Sequence, residues 1–178
     1  MISDLTNAKH TAELSFLSGY LDELGFESEL VERSETLPMP ILISSIGGDA
    51  AGRPRMLHFL FVPIDEEHLE ILQLLQIHSL FPYELGVDYL AEVEKLLSVI
   101  NQKLGMGYVG IDQENSIYYK YLFAKARYQP LDQNLIVETV QLFIFLMERF
   151  SGLIEGVATG EQDLATALAD LDVITYPS

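Results

Sequence analysis

Residues 105–128, which read GMGYVGIDQENSIYYKYLFAKARY, constrain the fold more than any other stretch of the chain. Two apolar and aromatic runs flank a polar cluster at residues 112–115, and this pattern predicts a β-hairpin. A turn centred on Gln113 and Glu114 predicts the register, in which Ile111 faces Ser116, Gly110 faces Ile117, Tyr108 faces Tyr119 and Met106 faces Tyr121. One face of the hairpin then carries Met106, Tyr108, Ile117, Tyr119, Tyr121 and Phe123.

Helical patterns lie on both sides of this hairpin. Apolar residues three and four apart predict helices over residues 11–24, 88–104, from after Pro130 to about 154, and 160–171. Gly25 is placed to end the first helix, and Asp132 is a good N-cap for the third. Thr159 and Gln162 have the spacing of a capping box, which predicts the start of the fourth.

Short apolar segments between the first two helices predict strands over residues 27–33, 41–46, 55–62 and 68–77. Residues 55–62 carry apolar side chains on both faces, which predicts a central strand covered on both sides. Residues 68–77 fit a helix or a strand about equally, and a strand is favoured because a short turn at 63–67 would pair it with 55–62. Helices and strands do not alternate strictly, so the order predicts an α+β fold. A length of 178 residues favours one domain.

The composition limits the classes of partner. Acidic residues number 27 against 10 lysines and arginines, for a net charge of −17, which disfavours nucleic acid and anionic membrane surfaces. The longest apolar run, Leu142–Met147, is too short to span a bilayer, and the N-terminal residues do not resemble a signal peptide. The chain has no cysteine, which fits a reducing compartment, so we expect a cytoplasmic protein.

No catalytic motif is evident. Gly105–Gly110 reads GMGYVG, but a dinucleotide fingerprint needs a strand before it and a helix after it, the reverse of the order predicted here. The acidic residues 65–67 fit a solvated turn better than a calcium loop. The histidines, His10, His58, His68 and His78, do not have the spacing of a metal motif. The sequence therefore predicts no catalytic residue, no cofactor and no metal site.

The end of the hairpin is the strongest candidate for contact with a partner. Lys120, Lys125 and Arg127 lie close together, with no acidic residue from Ser116 to Leu131, and Tyr118 precedes them. One interpretation is protection of an edge strand, since lysines discourage strand pairing between molecules. The other is a docking site for an acidic partner segment or a second copy. Phe145, among polar neighbours on the third helix, is a further candidate for contact with another chain.

The order of elements resembles a known family. A helix ending in LDELGF, strands such as PILISSI and RMLHFLFVPI, the segment LEILQLLQIHSLFPYEL, the hairpin YVGIDQENSIYYKYLFA and a long helix are similar to the YbjN-like proteins, which share the fold of type III secretion chaperones. The resemblance covers roughly residues 10–155. It implies a strand within 68–77, a homodimer, and a twisted antiparallel sheet of about five to six strands with helices packed on it.

The expected order is then α-β-β-β-(β)-α-β-β-α plus a short C-terminal helix. Residues 1–178 would form a single chaperone-like domain, with 157–178 as a C-terminal extension. The resemblance implies a non-enzymatic protein-binding module, chaperone-like or regulatory, that acts on a protein client or regulatory partner.

Two alternatives remain open at this point. An enzyme or small-ligand binder would use a pocket between sheet and helices, with His58 beside a carboxylate as its acid–base group. A structural subunit of a larger assembly would use Phe145 and the C-terminal helix as its contacts.

Overall fold

The computed structural model describes residues 3–64 and 68–173. Its elements are α1 Asp4–Glu23, β1 Ser28–Val31, β2 Ile41–Gly48, β3 Pro54–Phe61, β4 Leu72–Leu80, a 3-10 turn Val87–Tyr89, α2 Leu90–Lys103, β5 Tyr108–Ile111, β6 Ile117–Ala126, α3 Gln133–Thr159 and α4 Leu164–Val173. The strands form one antiparallel sheet in the order β1-β2-β3-β4-β6-β5. The predicted α+β class and order of elements are confirmed, including a strand within the ambiguous segment 68–77.

The chain divides into two compact units. The first contains Met1–Ser79 with Lys120–Gln141, and the second contains Leu80–Tyr119 with Leu142–Ser178. The prediction of one domain over residues 1–178, with an extension at 157–178, stays a prediction. The predicted turn at residues 65–67 and the predicted fraying of the last residues lie outside the described residues, except for Val173, which ends α4.

In the first unit, one face of the sheet forms the core. Side chains along β3, β4 and β2 up to Ile46 alternate between buried and more exposed, as a pleated strand requires. The buried face includes Leu42, Leu57, Phe59, Phe61, Leu75 and Ile77. Phe61 on this face stacks on His10 of α1, with ring centroids 4.6 Å apart. The core of this unit therefore lies between α1 and one face of the sheet.

The other face of β3 is only partly buried in the described structure. β3 is central, between β2 and β4, as the sequence predicts. However, Met56 is 37% exposed, and His58 and Leu60 are only half-buried. The prediction of a strand covered on both sides is therefore wrong, because the helix packed on β3 in this unit, α1, lies against its opposite face.

α1 begins earlier than predicted and ends where predicted. Ser3 is the N-cap, and its Oγ accepts a hydrogen bond from the Thr6 amide at 3.1 Å. At the other end Gly25 adopts a φ of 80°. The Phe26 amide then donates back to the Leu21 carbonyl at 3.0 Å, a Schellman arrangement.

The core of the second unit is formed by apolar side chains of α2, the C-terminal part of α3, and α4. These residues are Val93, Leu96, Leu97, Ile100, Phe143, Leu146, Met147, Phe150, Ile154, Ala167 and Leu171. Tyr119 stacks on Phe143 at a centroid distance of 4.2 Å. Asn101 of α2 holds the β5 backbone: its amide donates to the Val109 carbonyl at 2.9 Å and accepts from the Val109 amide at 2.8 Å.

The predicted hairpin exists, but its register is shifted by one residue. The Asp112 amide donates to the Ser116 carbonyl at 3.0 Å, which closes a three-residue loop. Asn115 takes the left-handed conformation that this loop requires, with a φ of 61°. The predicted two-residue turn would instead need positive φ at Gln113 and Glu114, which non-glycine residues adopt at a cost of roughly 1–2 kcal/mol each.

The shift moves side chains between the faces of the hairpin. The ring of Tyr118 lies over Gly110, where a Cβ would come within 2.7 Å of it. Tyr108 packs edge-on against Tyr118 at 5.9 Å and is 39% exposed, while Val109 is buried. The prediction that Tyr108 shares the face of Ile117 and Tyr119 is therefore wrong.

The C-terminal helix begins later than predicted. Thr159 ends α3, and its Oγ1 donates to the Glu155 carbonyl at 2.9 Å. The N-cap of α4 is Asp163, whose Oδ1 accepts from the Thr166 amide at 2.9 Å. The predicted capping box is wrong because Gly160, with a φ of 76°, belongs to the end of α3.

Candidate functional site

The most unusual polar feature of the first unit is a buried row of four side chains from three elements. His10 Nε2 of α1 lies 2.6 Å from Gln73 Nε2 of β4. Gln73 Oε1 accepts from Lys125 Nζ of β6 at 3.4 Å. The ammonium lies 3.0 and 2.8 Å from the two carboxylate oxygens of Glu13. We call these four residues the buried polar row; His10, Gln73 and Lys125 are each at most 7% exposed.

The row fixes the proton positions on His10. Lys125 donates to Gln73 Oε1, so the Gln73 amide nitrogen faces the imidazole and donates to it. Nε2 of His10 is therefore the acceptor, and the ring proton lies on Nδ1. Nδ1 is buried and has no hydrogen-bond partner among the described residues.

Electrostatics keep this imidazole neutral. Burial lowers the pKa of His10 from 6.5 to about 4, and the nearby charges of Arg127 and Lys125 act in the same direction. His10 is therefore a neutral hydrogen-bonding group at pH 7, and it does not titrate in the physiological range.

Arg127 holds the segment before β4. Its guanidinium donates to the Leu69 carbonyl from Nε at 3.1 Å and from Nη2 at 2.8 Å, and to the Leu72 carbonyl at 3.3 Å. Its backbone amide also donates to the Ile71 carbonyl at 2.7 Å. The guanidinium is thus held in position by backbone acceptors of this segment.

Two concave sites lie on either side of Lys9 and Arg127, which line both. The inner cavity has a volume of about 420 Å³ and reaches His10 and Gln73 of the buried polar row. The outer groove has a volume of about 270 Å³ and is lined by Phe16, Tyr20, Tyr128 and Pro130. Both sites belong to the first unit.

The outer groove combines exposed aromatic rings with positive charge. Phe16 is 63% and Tyr128 is 80% exposed. Lys9 is exposed, and Glu13 at the groove is already paired with Lys125. Aromatic and arginine side chains are enriched at the energetically dominant positions of protein interfaces. Such a groove can bind a peptide segment that carries an apolar side chain and a carboxylate.

The predicted partner-binding residues do not form one site. Lys125 lies in the buried polar row, and Arg127 lines the cavity and the groove. Lys120 lies on the opposite face of β6, because side chains five residues apart on a strand point to opposite sides. Tyr118 covers Gly110 in the second unit, where Phe145 is 40% exposed on α3. Protection of an edge strand is not the role of Lys125, which is buried in an ion pair.

Sequence reasoning missed Lys9, His10, Phe16, Tyr20 and Tyr128. A signal was present for two of them. Phe16 and Tyr20 are four residues apart, so they form a row on α1 that is separate from its buried leucines. The remaining residues come together only through contacts between distant segments.

His58, the acid–base candidate, lies on the partly exposed face of β3. It lies opposite His78 of the neighbouring strand β4, and the centroids of the two rings are 6.0 Å apart. Burial lowers the pKa of His58, and a hydrogen bond with the His78 backbone partly opposes this. Its Nδ1 has no partner in the described part of the chain. No carboxylate is hydrogen-bonded to His58 in the described structure, so the predicted acid–base pair has no geometric support there.

The described part of the chain contains neither a cluster of metal ligands nor a helix that could span a membrane. Among residues 3–64 and 68–173, no group of three or more His, Asp or Glu side chains is arranged to hold a metal ion. None of the helices in this part of the chain is both long enough and apolar enough to cross a membrane.

Comparison with known proteins gives a weak structural likeness. No family model and no curated protein match the sequence. The crystal structure of YbjN from E. coli, a proposed transcription regulator, matches with a TM-score of 0.40 and 12% sequence identity, over 78% of this chain and 91% of that one. Because this structural agreement is low, neither the fold family nor the role of YbjN is carried over to the present chain.

Proposed function

We propose that this chain is a non-enzymatic protein-binding module, a chaperone-like or regulatory adaptor that works in the cytoplasm as a homodimer. Its outer groove binds an acidic segment of a partner protein that also carries an apolar or aromatic anchor. The observation that supports this is the exposure of Phe16 and Tyr128 beside Lys9 and Arg127. Exposed aromatic rings next to cations are favourable for binding and otherwise cost solubility.

The net charge makes an acidic partner the best fit for the groove. The chain carries a net charge of −17, so most of its surface repels an acidic peptide. Lys9 and Arg127 bring positively charged side chains to the groove, and Glu13, which also lines it, is paired with Lys125. An acidic segment is thus attracted to this groove and repelled elsewhere, which supplies specificity as well as affinity.

A defined peptide measurement tests this function. Dodecapeptides selected from a random display library on the intact chain should be rich in Asp and Glu and contain a Phe, Trp or Leu. Fluorescence anisotropy of a labelled selected peptide should show affinity that falls as salt rises. Lys9→Glu and Tyr128→Ala should each weaken binding about tenfold or more.

Lys95→Glu is the matched control. Lys95 is also an exposed lysine on a helix, but it belongs to the second unit and is not among the residues that line the groove. It should bind the peptide as the unmodified chain does. Selected peptides without acidic character, or binding unchanged in both groove variants, would rule out the proposed function.

A small-ligand site is the second candidate function, and it rests on His10. The unpartnered, buried Nδ1 belongs to a residue that lines the 420 Å³ inner cavity, where Lys9 and Arg127 also lie. These groups suit a small carboxylate. Citrate and acetate, titrated against the chain labelled with ¹⁵N-histidine, would shift the His10 ring signals at millimolar concentration if the cavity binds such anions. Unchanged ring signals would exclude this candidate.

A further inference from the structure

Within the described residues, one face of the first unit's sheet is partly exposed, and most of the side chains on it are apolar. We call it the open face; it includes Ile43, Met56, His58, Leu60, Leu74 and Leu122. Each of these side chains is half-buried or exposed. The side chains that alternate with them along the strands are buried, from residue 42 to 46 of β2, from 55 to 61 of β3 and from 73 to 79 of β4. Large contiguous apolar patches on a protein surface mark sites of interaction.

Two residues of opposite charge on the open face, Glu29 and Lys120, lie in one row across the strands. Glu29 pairs with Ile43, Ile43 with His58, and His58 with His78. The Arg127 amide donates to the Ile71 carbonyl, and this antiparallel register places Lys120 opposite His78. The row therefore runs Glu29, Ile43, His58, His78, Lys120, with an acid at one end and a base at the other.

One symmetry operation brings the acidic end of this row against the basic end of the same row in a second copy. When two sheets pack face to face with their strands aligned, the two-fold axis between them runs either along the strands or across them. An axis across the strands brings Glu29 against its own copy. An axis along the strands through His58 reverses the row, so that Glu29 meets Lys120 of the second copy at both ends of the contact.

We propose that the open face is the contact between two copies of this chain, related by a two-fold axis parallel to the strands, with two Glu29–Lys120 pairs at its rim. This gives an interface to the dimer named in the proposed function. It does not depend on peptide binding in the outer groove, which uses α1 on the other side of the sheet.

The size of the open face fits a dimer. β1, β2, β3, β4 and β6 have 4, 8, 8, 9 and 10 residues. Five strands about 4.8 Å apart and on average about 27 Å long give a flat footprint of about 650 Å² per copy. A standard protein interface buries about 800 Å² per partner, measured over a surface with relief, so the two values are comparable.

Analytical ultracentrifugation of the full chain at micromolar concentration tests the proposal. The unmodified chain should sediment at twice its mass of 20.0 kDa. Leu122→Asp should sediment as a monomer, because the side chain is 42% exposed in the single chain and lies on β6 inside the contact, where a buried carboxylate is costly. Leu142→Asp, a leucine that is 45% exposed on α3, is the matched control and should remain a dimer. Far-ultraviolet circular dichroism should be the same for all three.

The charge pairs test the orientation of the axis. Glu29→Lys and Lys120→Glu alone should each raise the dimer dissociation constant about tenfold, since each places two like-charge pairs at the rim. The double variant E29K/K120E should restore the dissociation constant, because the pairs re-form with exchanged signs. A double variant weaker than either single variant would overturn the strand-parallel axis.

Two other results would overturn the interface itself. One is that the chain stays monomeric at every concentration, up to about a hundredfold above the micromolar range in which stable dimers form. The other is a dimer that Leu122→Asp leaves intact. Binding of the labelled acidic peptide separates the two proposals. Leu122→Asp should bind this peptide with unchanged affinity per chain, so loss of the dimer and loss of peptide binding are distinguishable.

Discussion

Lys125 Nζ lies within 3.0 Å of both carboxylate oxygens of Glu13, although only 7% of Lys125 is exposed. An ion pair this deeply buried is costly to break on one side, because the remaining charge stays in a medium of low polarity. We expect Glu13→Ala to lower the free energy of unfolding by about 3 kcal/mol, measured by urea denaturation at pH 7.

The double variant distinguishes a paired charge from a packing effect. Lys125→Met keeps the length of the side chain and removes the charge, so E13A/K125M leaves no isolated ammonium. Its unfolding free energy should exceed that of Glu13→Ala alone, with a coupling of about 1 kcal/mol or more in the double-mutant cycle. Strictly additive effects of the two substitutions would contradict the ion pair.

His10 should make stability depend on pH. Its pKa is about 4 in the folded chain and 6.5 in the unfolded one, so between these values the unfolded chain binds more protons. Stability attributable to His10 is therefore complete above pH 6.5 and is lost as the pH falls toward 4. The two pKa values give a loss of about 2 kcal/mol between pH 7 and pH 5, measurable by urea denaturation at both pH values.

His10→Gln is the control for this dependence. Glutamine offers an oxygen to the Gln73 amide but does not titrate. The variant should lose less stability than the unmodified chain between pH 7 and pH 5. Some pH dependence will remain, since burial also lowers the pKa of His58. An identical loss in both proteins would refute a depressed pKa for His10.

Local patterns in the sequence were sufficient for the elements of the fold. Asp132 was predicted as the N-cap of the third helix, and its Oδ1 accepts from the Leu135 amide at 2.9 Å. Gly25 was predicted to end the first helix and has the expected left-handed φ. These features depend on residues within one turn of each other, so hydrogen-bonding capacity and conformational preference determine them directly.

The site was less predictable because it depends on contacts between distant segments. Gln73 follows His10 by 63 residues, and Lys125 follows Gln73 by 52. No local pattern brings these residues together. Sequence proximity also grouped Lys120 with Lys125, although the two-residue period of a strand separates them onto opposite faces. The hairpin register failed for a related reason: Asn115, as the only polar residue of the turn suited to a left-handed φ, was the signal for a three-residue loop.

The conformation of Asn115 gives a test of the hairpin loop. Asn115→Gly should leave stability unchanged or raise it by up to about 1 kcal/mol, since glycine adopts a positive φ without steric cost. Asn115→Ala should lower it by about 1 kcal/mol, because alanine tolerates this region less well than asparagine. Thermal unfolding with calorimetry gives both values. Equal stability of the two variants would contradict the left-handed residue.

Of the glycines in the second unit, Gly160 is the one whose replacement should lower the stability most. It has a φ of 76°, and a Cβ there would overlap the ring and hydroxyl of Tyr89. Gly160→Ala should therefore lower the free energy of unfolding by about 2 kcal/mol or more, through backbone strain and displacement of the tyrosine.

Gly152 supplies the matched comparison on α3. It is exposed within the helix, its φ is negative, and a Cβ would meet no atom within 4 Å. Gly152→Ala should raise stability by up to about 1 kcal/mol, because alanine favours the helix over the unfolded chain. The opposite signs of these two glycine-to-alanine changes are the expected result of chemical denaturation. If Gly160→Ala were as stable as Gly152→Ala, Tyr89 could not lie against the end of α3.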